Sequence, residues 1–378
     1  MAAYDMIVAG LGGIGSAAAS HLARRGLRVL GLDRFPPAHD RGSSHGRTRM
    51  IRQAYFEHPD YVPLVLRAYQ LWSELEARRR TKLYHEVGLL QIGAADGVVV
   101  PGVLQSARQH GLDVESLSVA QIRDRFPGFR VEEPLAGVFE ARAGYLTVEA
   151  CVQAHLDDAA EAGAELRTGE AIRGWNVTND SVRVETDQGS YSAGRLVVAA
   201  GAWASQLLAE VGLPLVVRRK PQYWYLPTSD DYSARHGCPA FLFERGEAIF
   251  YGFPQIGPEG VKVAEHTGGS VVTDPLALTR DVDRADQGRV EDFLRQCMPG
   301  VSMQLTGHAA CMYTLTPDQD FVLDRHPKHA QVVFVAGLSG HGFKFAPVLG
   351  QALAELAVDG TTNLPIGFLA AARAALAR

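Results

Sequence analysis

One stretch constrains this chain more than any other. The apolar run Asp5 to Ala9 leads directly into Gly10-Leu11-Gly12-Gly13-Ile14-Gly15, and that turn opens a segment, Ser16 to Arg25, with an apolar face. This is a G-x-G-x-x-G pattern in the setting it requires, after a strand and before a helix. Gly10 permits a tight turn, Gly12 lets the backbone approach a pyrophosphate, and Gly15 allows the helix to pack closely on the strand. The helix N-terminus then offers N–H groups and the positive end of its dipole to phosphate. After Gly26 a second strand, Arg28 to Leu32, leads to Asp33, 18 residues beyond Gly15, where a carboxylate can accept from a ribose hydroxyl. The pattern predicts a βαβ dinucleotide-binding unit. By itself it does not separate NAD from FAD.

The remaining 345 or so residues must say what the dinucleotide is for. A 378-residue chain with 47% hydrophobic residues has room for two domains and a substantial core. A formal charge of −5 argues against non-specific nucleic-acid or membrane partners. No run approaches the roughly 20 apolar residues that span a bilayer. The N-terminus has no basic leader and reads as a strand, not a signal peptide. Cys151, Cys238, Cys297 and Cys311 are scattered, with no C-x-x-C pair and no metal-ligand spacing, which predicts a cytoplasmic protein without a disulfide framework or metal site.

Helices are predicted at Tyr61 to Arg80, Pro101 to His110, Val148 to Ala162 and Asp283 to Gln296. Residues 166–204 read as a strand, a hairpin-like pair and a buried strand ending in glycine. From Pro214 to Ala309 the texture turns aromatic and alternating, as in an antiparallel sheet. The tail, Val332 to Val358, returns to strand, glycine turn and helix. The expected fold is therefore α/β (α+β overall). Residues 1–82, 144–213 and 308–378 form a discontinuous Rossmann-like domain, and residues 83–143 and 214–307 form a mainly antiparallel β domain. Two later segments, LVVAAGAWA (Leu196 to Ala204) and the turn holding Gly340, Gly342 and Phe343, favour FAD over NAD.

Three further stretches bring a family into view. They are GSSHGRTRMIRQAY (Gly42 to Tyr55), YGFPQIGPEGVKVAEHTGG (Tyr251 to Gly269), and ACMYTLTPDQDFVLD running into GLSGHGFKF. With the N-terminal fingerprint they resemble the monomeric sarcosine oxidase and N-methyltryptophan oxidase family, in order and over nearly the whole chain. The resemblance implies a two-domain flavoprotein of the D-amino-acid-oxidase type, a monomer with covalent FAD and a flat sheet roofing the substrate cavity.

The resemblance also implies roles for residues. Cys311 matches the cysteine joined to the flavin, and His45, Thr48 and Arg49 lie against it. Arg52 and Lys344 hold the substrate carboxylate, a task that suits the planar fork of arginine. Lys262 promotes reduction of O2 to peroxide by stabilising developing negative charge. His266 neighbours the substrate, and Tyr251 and Tyr313 line its pocket. If VKVAEH is a strand, residues 262, 264 and 266 share one face. Arg78 to Arg80 and Arg218 to Lys220 carry no motif and read as solvated surface. Ser44, Arg47 and Leu242 depart from the family pattern, which leaves the substrate open.

These readings converge on oxidation of the C–N bond of a small secondary amino acid, with O2 as acceptor. Rival readings are a flavin dehydrogenase with another acceptor, an NAD-linked oxidoreductase, and a nucleotide-binding or tRNA-modifying scaffold without oxidase activity.

Overall fold

Strand Tyr4–Ala9, helix Gly13–Arg24 and strand Val29–Asp33 form the predicted βαβ unit, the two strands pairing in parallel from Met6 with Val29 to Ala9 with Leu32. The helix begins three residues ahead of Ser16, because the end of the glycine turn is already helical. A Cβ on Gly15 would fall 1.8 Å from the Gly10 carbonyl oxygen, so only glycine lets the helix start so close to the strand. The computed structural model describes residues 3–178 and 180–376, so residues 1, 2, 179, 377 and 378 of the predicted ranges lie outside it.

The first sheet has eight strands. Its parallel centre runs Glu165–Thr168, Val29–Asp33, Tyr4–Ala9, Ser190–Val198 and Val332–Ala336. Residues 172–178 and 181–186 extend it as an antiparallel meander, and Val322–Arg325 closes the other edge. Strands buried on both faces are near-continuous apolar runs, and Val332–Ala336 is one. Helices Gly13–Arg24, Tyr61–Arg79, Val148–Glu161 and Ala346–Val358 share one core with that sheet.

The second sheet also has eight strands, in the order 301–315, 216–227, 261–265, 248–253, 240–245, 89–94, 135–140 and 115–117. All its pairings are antiparallel except Ala240–Arg245 on Leu89–Ala94. The mixed α/β class with a mainly antiparallel second sheet is as expected. Helix Arg284–Cys297, capped by the Asp283 side chain on Ala285 N and Asp286 N, covers one face through Phe293 and Leu294. A small third sheet, Thr48–Ile51, Gly144–Thr147 and Tyr84–Glu86, carries the loop that holds the basic residues of the site.

The basic triplet Arg218 to Lys220 is not a solvated face. Strand Val216–Pro227 runs between strands 301–315 and 261–265, so Arg219 and Lys220 are only 5% and 3% exposed. Arg219 pairs with Asp286 at 2.6 Å. Arg78 and Arg80 do lie at the surface, as read from the sequence. A short helix, Val119–Arg125, was not expected; its signal is a capping box between Ser118 and Gln121.

Candidate active site

The glycine turn opens onto a cleft of about 1470 Å³, solvent at its mouth included, lined by Gly10, Gly12, Asp33, Arg49, Gly340 and Gly342 among others. Gly10 has φ +93°, and a Cβ there would meet the Ala199 carbonyl at 2.6 Å. Asp33 accepts from Leu11 N at 2.7 Å and Phe35 N at 2.9 Å, so its carboxylate braces the turn as well as facing the cleft. Ser44, one of the departures from the family pattern, accepts from Gly13 N at 3.0 Å. At the far end Gly340 has φ +82°, and a Cβ would lie 2.3 Å from the Tyr313 ring. The helix N-terminus, the glycine backbone and the acidic end of the second strand fit a dinucleotide. Gly15 contributes by packing behind the turn and does not line the cleft.

Cys311 lies where strand Val301–Leu315 reaches the cleft beside Met312 and Tyr313. Arg49 donates to its sulfur at 3.2 Å and to the Ser43 carbonyl at 2.8 Å. Ser43 Oγ donates to the Met312 carbonyl at 2.7 Å, so the basic loop is tied to the strand at the cysteine and at the residue after it. His45 is buried with Nε2 unpartnered, and burial, then Arg49, pushes its pKa down to about 3. A neutral imidazole with a free polar atom and a thiol under a guanidinium suit the polar ring system of a flavin.

Above this loop lies the second sheet. Lys262, 2% exposed, donates to Gly46 O at 2.6 Å, Thr48 O at 2.9 Å and Thr48 Oγ1 at 3.2 Å. Thr48 thus serves Lys262 and does not line the cleft. Burial pushes the lysine well below its ordinary pKa, yet three oxygen acceptors use all three N–H bonds of an ammonium. Its strand neighbours in register are Phe253 and Trp224, and their rings lie 5.1 and 5.3 Å from Nζ. Strand Val261–Glu265 is internal to the sheet, with Val261 and Val263 in the core beneath helix Arg284–Cys297 and Lys262 and Ala264 on the opposite face. One cross-strand row on that face reads Val138, Gln91, Leu242, Tyr251 and Ala264.

His266 follows the strand, its ring 5.5 Å from that of Tyr313 and 6.4 Å from that of Tyr251. Burial pushes it to about 3, so it is neutral. Lys220 Nζ holds its turn by donating to His266 O, Thr267 O and Gly268 O at 2.6–2.7 Å. Two further buried cations, Arg52 and Lys344, influence each other below. Arg52 is 2% exposed, its ion pair with Glu57 closes at 2.5 Å, and its guanidinium stacks 4.1 Å from the Tyr55 ring. Burial alone would raise the Glu57 carboxyl, but Arg52, His341 and Lys344 hold it at about 2. Lys344 donates to His341 O at 2.7 Å and to Tyr55 Oη at 3.1 Å.

Sequence reading missed Glu57, Tyr55, His341, Lys220 and Gln222. Glu57 lies five residues from Arg52, a spacing that could have flagged it. Gln222 left no signal: its amide is buried and unpartnered, packed against Gly46. Of the departures, Leu242 sits in the ceiling row beside Tyr251, while Arg47 is exposed, at φ +68°, and pairs with Glu259.

A parallel nucleotide-binding sheet whose cleft is closed by a strand of a second, antiparallel sheet defines a two-layer flavoprotein oxidoreductase. The chain belongs to the FAD dependent oxidoreductase family, whose profile matches residues 5–356. It is 44% identical to monomeric sarcosine oxidase of Streptomyces avermitilis, over 99% of this chain and 98% of that one. It is 38% identical to N-methyl-L-tryptophan oxidase of Salmonella agona, over 96% and 97%. Among solved structures it superposes on NikD, an unusual amino acid oxidase essential for nikkomycin biosynthesis, with TM-score 0.86 and 29% identity over 97% of each chain. The resemblance drawn from the sequence motifs stands, and NAD is set aside as the cofactor.

Proposed function

We propose that this enzyme oxidises the C–N bond of a small secondary amino acid, N-methylated or cyclic, and passes the electrons to O2. One observation carries the reading: two buried cations, Arg52 and Lys344, lie together beneath a ceiling that bears a third, Lys262. Cations buried this deeply call for an anion; Arg52 has Glu57, and among the described residues Lys344 has no carboxylate partner. A substrate carboxylate bound by both would take the place of Glu57 in the Arg52 fork. The names of the relatives, sarcosine oxidase and N-methyl-L-tryptophan oxidase, support an N-methyl amino acid.

FAD, when bound, supplies the two-electron acceptor that no side chain provides. The glycine turn and Asp33 would hold its dinucleotide portion, Cys311 would attach it covalently, and His45 and Arg49 would flank its ring. Arg52 and Lys344 orient the carboxylate, which fixes the reacting C–H, and positioning supplies much of the catalysis. Tyr251, Tyr313 and neutral His266 close the pocket around the amine and shed water. Lys262 places positive charge where oxygen gains electrons. All four cysteines are free and buried, which suits a cytoplasmic enzyme, and we take it to act as a monomer.

The test is an anaerobic panel of N-methyl and cyclic amino acids, scored by loss of the oxidised-flavin absorbance, followed by a peroxide assay in air. Bleaching by secondary amino acids with stoichiometric peroxide is expected. Bleaching without peroxide would make the enzyme a dehydrogenase, and no bleaching by any amine would overturn the reading.

A further inference from the structure

We propose that His341 and Tyr55 form a fixed hydrogen-bond relay that aims Lys344 at the substrate carboxylate, making both positioning residues; this rests on the carboxylate site proposed above. Hydrogen-bond direction along the relay follows from chemistry. His341 Nε2 lies 3.0 Å from the Gln319 carbonyl, which can only accept, so Nε2 carries the hydrogen. The imidazole is neutral, because burial holds it at about 4, and Nδ1 is therefore bare. Tyr55 Oη, 2.6 Å from Nδ1, must donate to it. The lone pairs of Tyr55 then face Lys344 Nζ at 3.1 Å. A second N–H of Lys344 goes to His341 O at 2.7 Å. Among the described residues no acceptor takes the third, which is left for a ligand.

The anchors are rigid. Gln319 sits at φ +62°, a conformation that surrounding structure must enforce on a residue other than glycine. The Lys344 backbone is pinned by Trp72 Nε1, which donates to its carbonyl at 2.9 Å. Tyr55 is wholly buried, its ring packed on Tyr61 and Phe345. A tyrosine was needed here, since phenylalanine would fill the same space without accepting from the lysine.

The relay also governs charge. Arg52 and Glu57 from the basic loop act on Lys344 directly, and Tyr55 and His341 bond to it; Tyr61 from helix Tyr61–Arg79 and Asp320 ahead of strand Val322–Arg325 act on Tyr55, and His266 of the ceiling faces Arg52, Glu57 and His341. Burial, then the charge of Arg52, brings Lys344 down to about 7, with Glu57 opposing. Below that pH the third N–H meets a carboxylate; above it a lone pair does, and binding weakens. Removing Tyr55 Oη takes away an acceptor that favours the ammonium, so the titration moves to lower pH.

The experiment titrates the FAD-loaded enzyme with propionate, a carboxylate without an amine, from pH 5.5 to 9, reading the flavin absorbance. For the unaltered protein Kd should rise about tenfold per pH unit above an inflection near 7. Tyr55→Phe should lower the inflection by about one unit while Kd at the acid end changes by less than about threefold. His341→Phe should give a smaller shift in the same direction, because Tyr55 then competes with Lys344 for the residue-341 carbonyl. Lys344→Met should abolish the inflection. An unmoved inflection in Tyr55→Phe, a loss of affinity equal at every pH, or an inflection that survives Lys344→Met would each overturn the relay. Failure of propionate to bind the unaltered enzyme at any pH would instead overturn the carboxylate site itself.

Discussion

At the scale of single residues, the site is a set of buried charges whose partners are backbone oxygens, a hydroxyl, a phenol, a thiol and one carboxylate. Lys262 is held by Gly46 and Thr48 and touches no carboxylate, so its charge is available to whatever forms beneath it. Lys262→Met should therefore leave anaerobic reduction of the flavin by substrate largely intact and slow reoxidation by O2 by roughly a hundredfold or more. Stopped-flow measurement of the two half-reactions checks this; oxygen reactivity within about twofold of normal would remove Lys262 from that role. Glu57 presents the opposite case, since it occupies the fork proposed above for the substrate carboxylate. Glu57→Gln removes the competing charge, and a carboxylate ligand should bind about tenfold tighter, the value of one charge-assisted bond. Weaker binding would mean that Glu57 organises Arg52 more than it blocks it. Arg52, Lys262 and Lys344 were legible in the sequence because each falls in a motif. Tyr55 was not, because its meeting with Lys344 is settled by packing across segments nearly 300 residues apart, whereas Glu57 and His341 sit within five residues of the cations they serve and carried no motif of their own.

At the scale of elements, periodicity carried the first sheet and the antiparallel character of the second, and failed at the basic stretch of one strand. Strands 4–9, 29–33 and 332–336 are short apolar runs after or before glycine turns, which leaves little room for another reading. Strand Val216–Pro227 carries three consecutive basic residues, Arg218 to Lys220, directly after its first two valines, and nothing local says that they lie inside a sheet. Its two faces differ: Arg219 and Tyr223 point toward helix Arg284–Cys297, while Lys220, Gln222 and Trp224 face the basic loop and the site. A buried lysine donating to three consecutive carbonyls fixes the turn that carries His266. Lys220→Met fills similar volume and removes all three donors. With the turn partly open to water, the loss should be about 2 kcal/mol of stability, seen as a lower Tm. KM for the amine should rise several-fold with kcat less affected, since the ceiling shifts but the cations below do not. An unchanged KM would mean that the turn holds its place without the lysine.

At the scale of the whole molecule, the cofactor cleft takes its walls from both sheets. Gly10, Asp33 and Gly340 come from the nucleotide-binding layer, Met312 and Tyr313 from the edge strand of the ceiling. A ligand in that cleft couples the two layers, so stability of the fold and retention of FAD are linked. If Cys311 joins the cofactor to strand Val301–Leu315, the ligand cannot dissociate and its whole binding free energy counts toward the folded state. Cys311→Ser keeps the volume within one heavy atom and the contact with Arg49, but leaves FAD free to exchange. That variant should lose its yellow colour on denaturing precipitation, and its mass should equal the bare chain. Its Tm should then depend on added FAD, with a gain of about 2.7 kcal/mol at a hundredfold excess over Kd. The unaltered enzyme should show no such dependence, because its ligand is already at effectively infinite local concentration. Cofactor that remained bound to the denatured serine variant would place the attachment elsewhere. A Tm of the unaltered protein that rose with added FAD would mean that the bond is absent or incomplete, and the layers would then be held only by the contacts around the cleft.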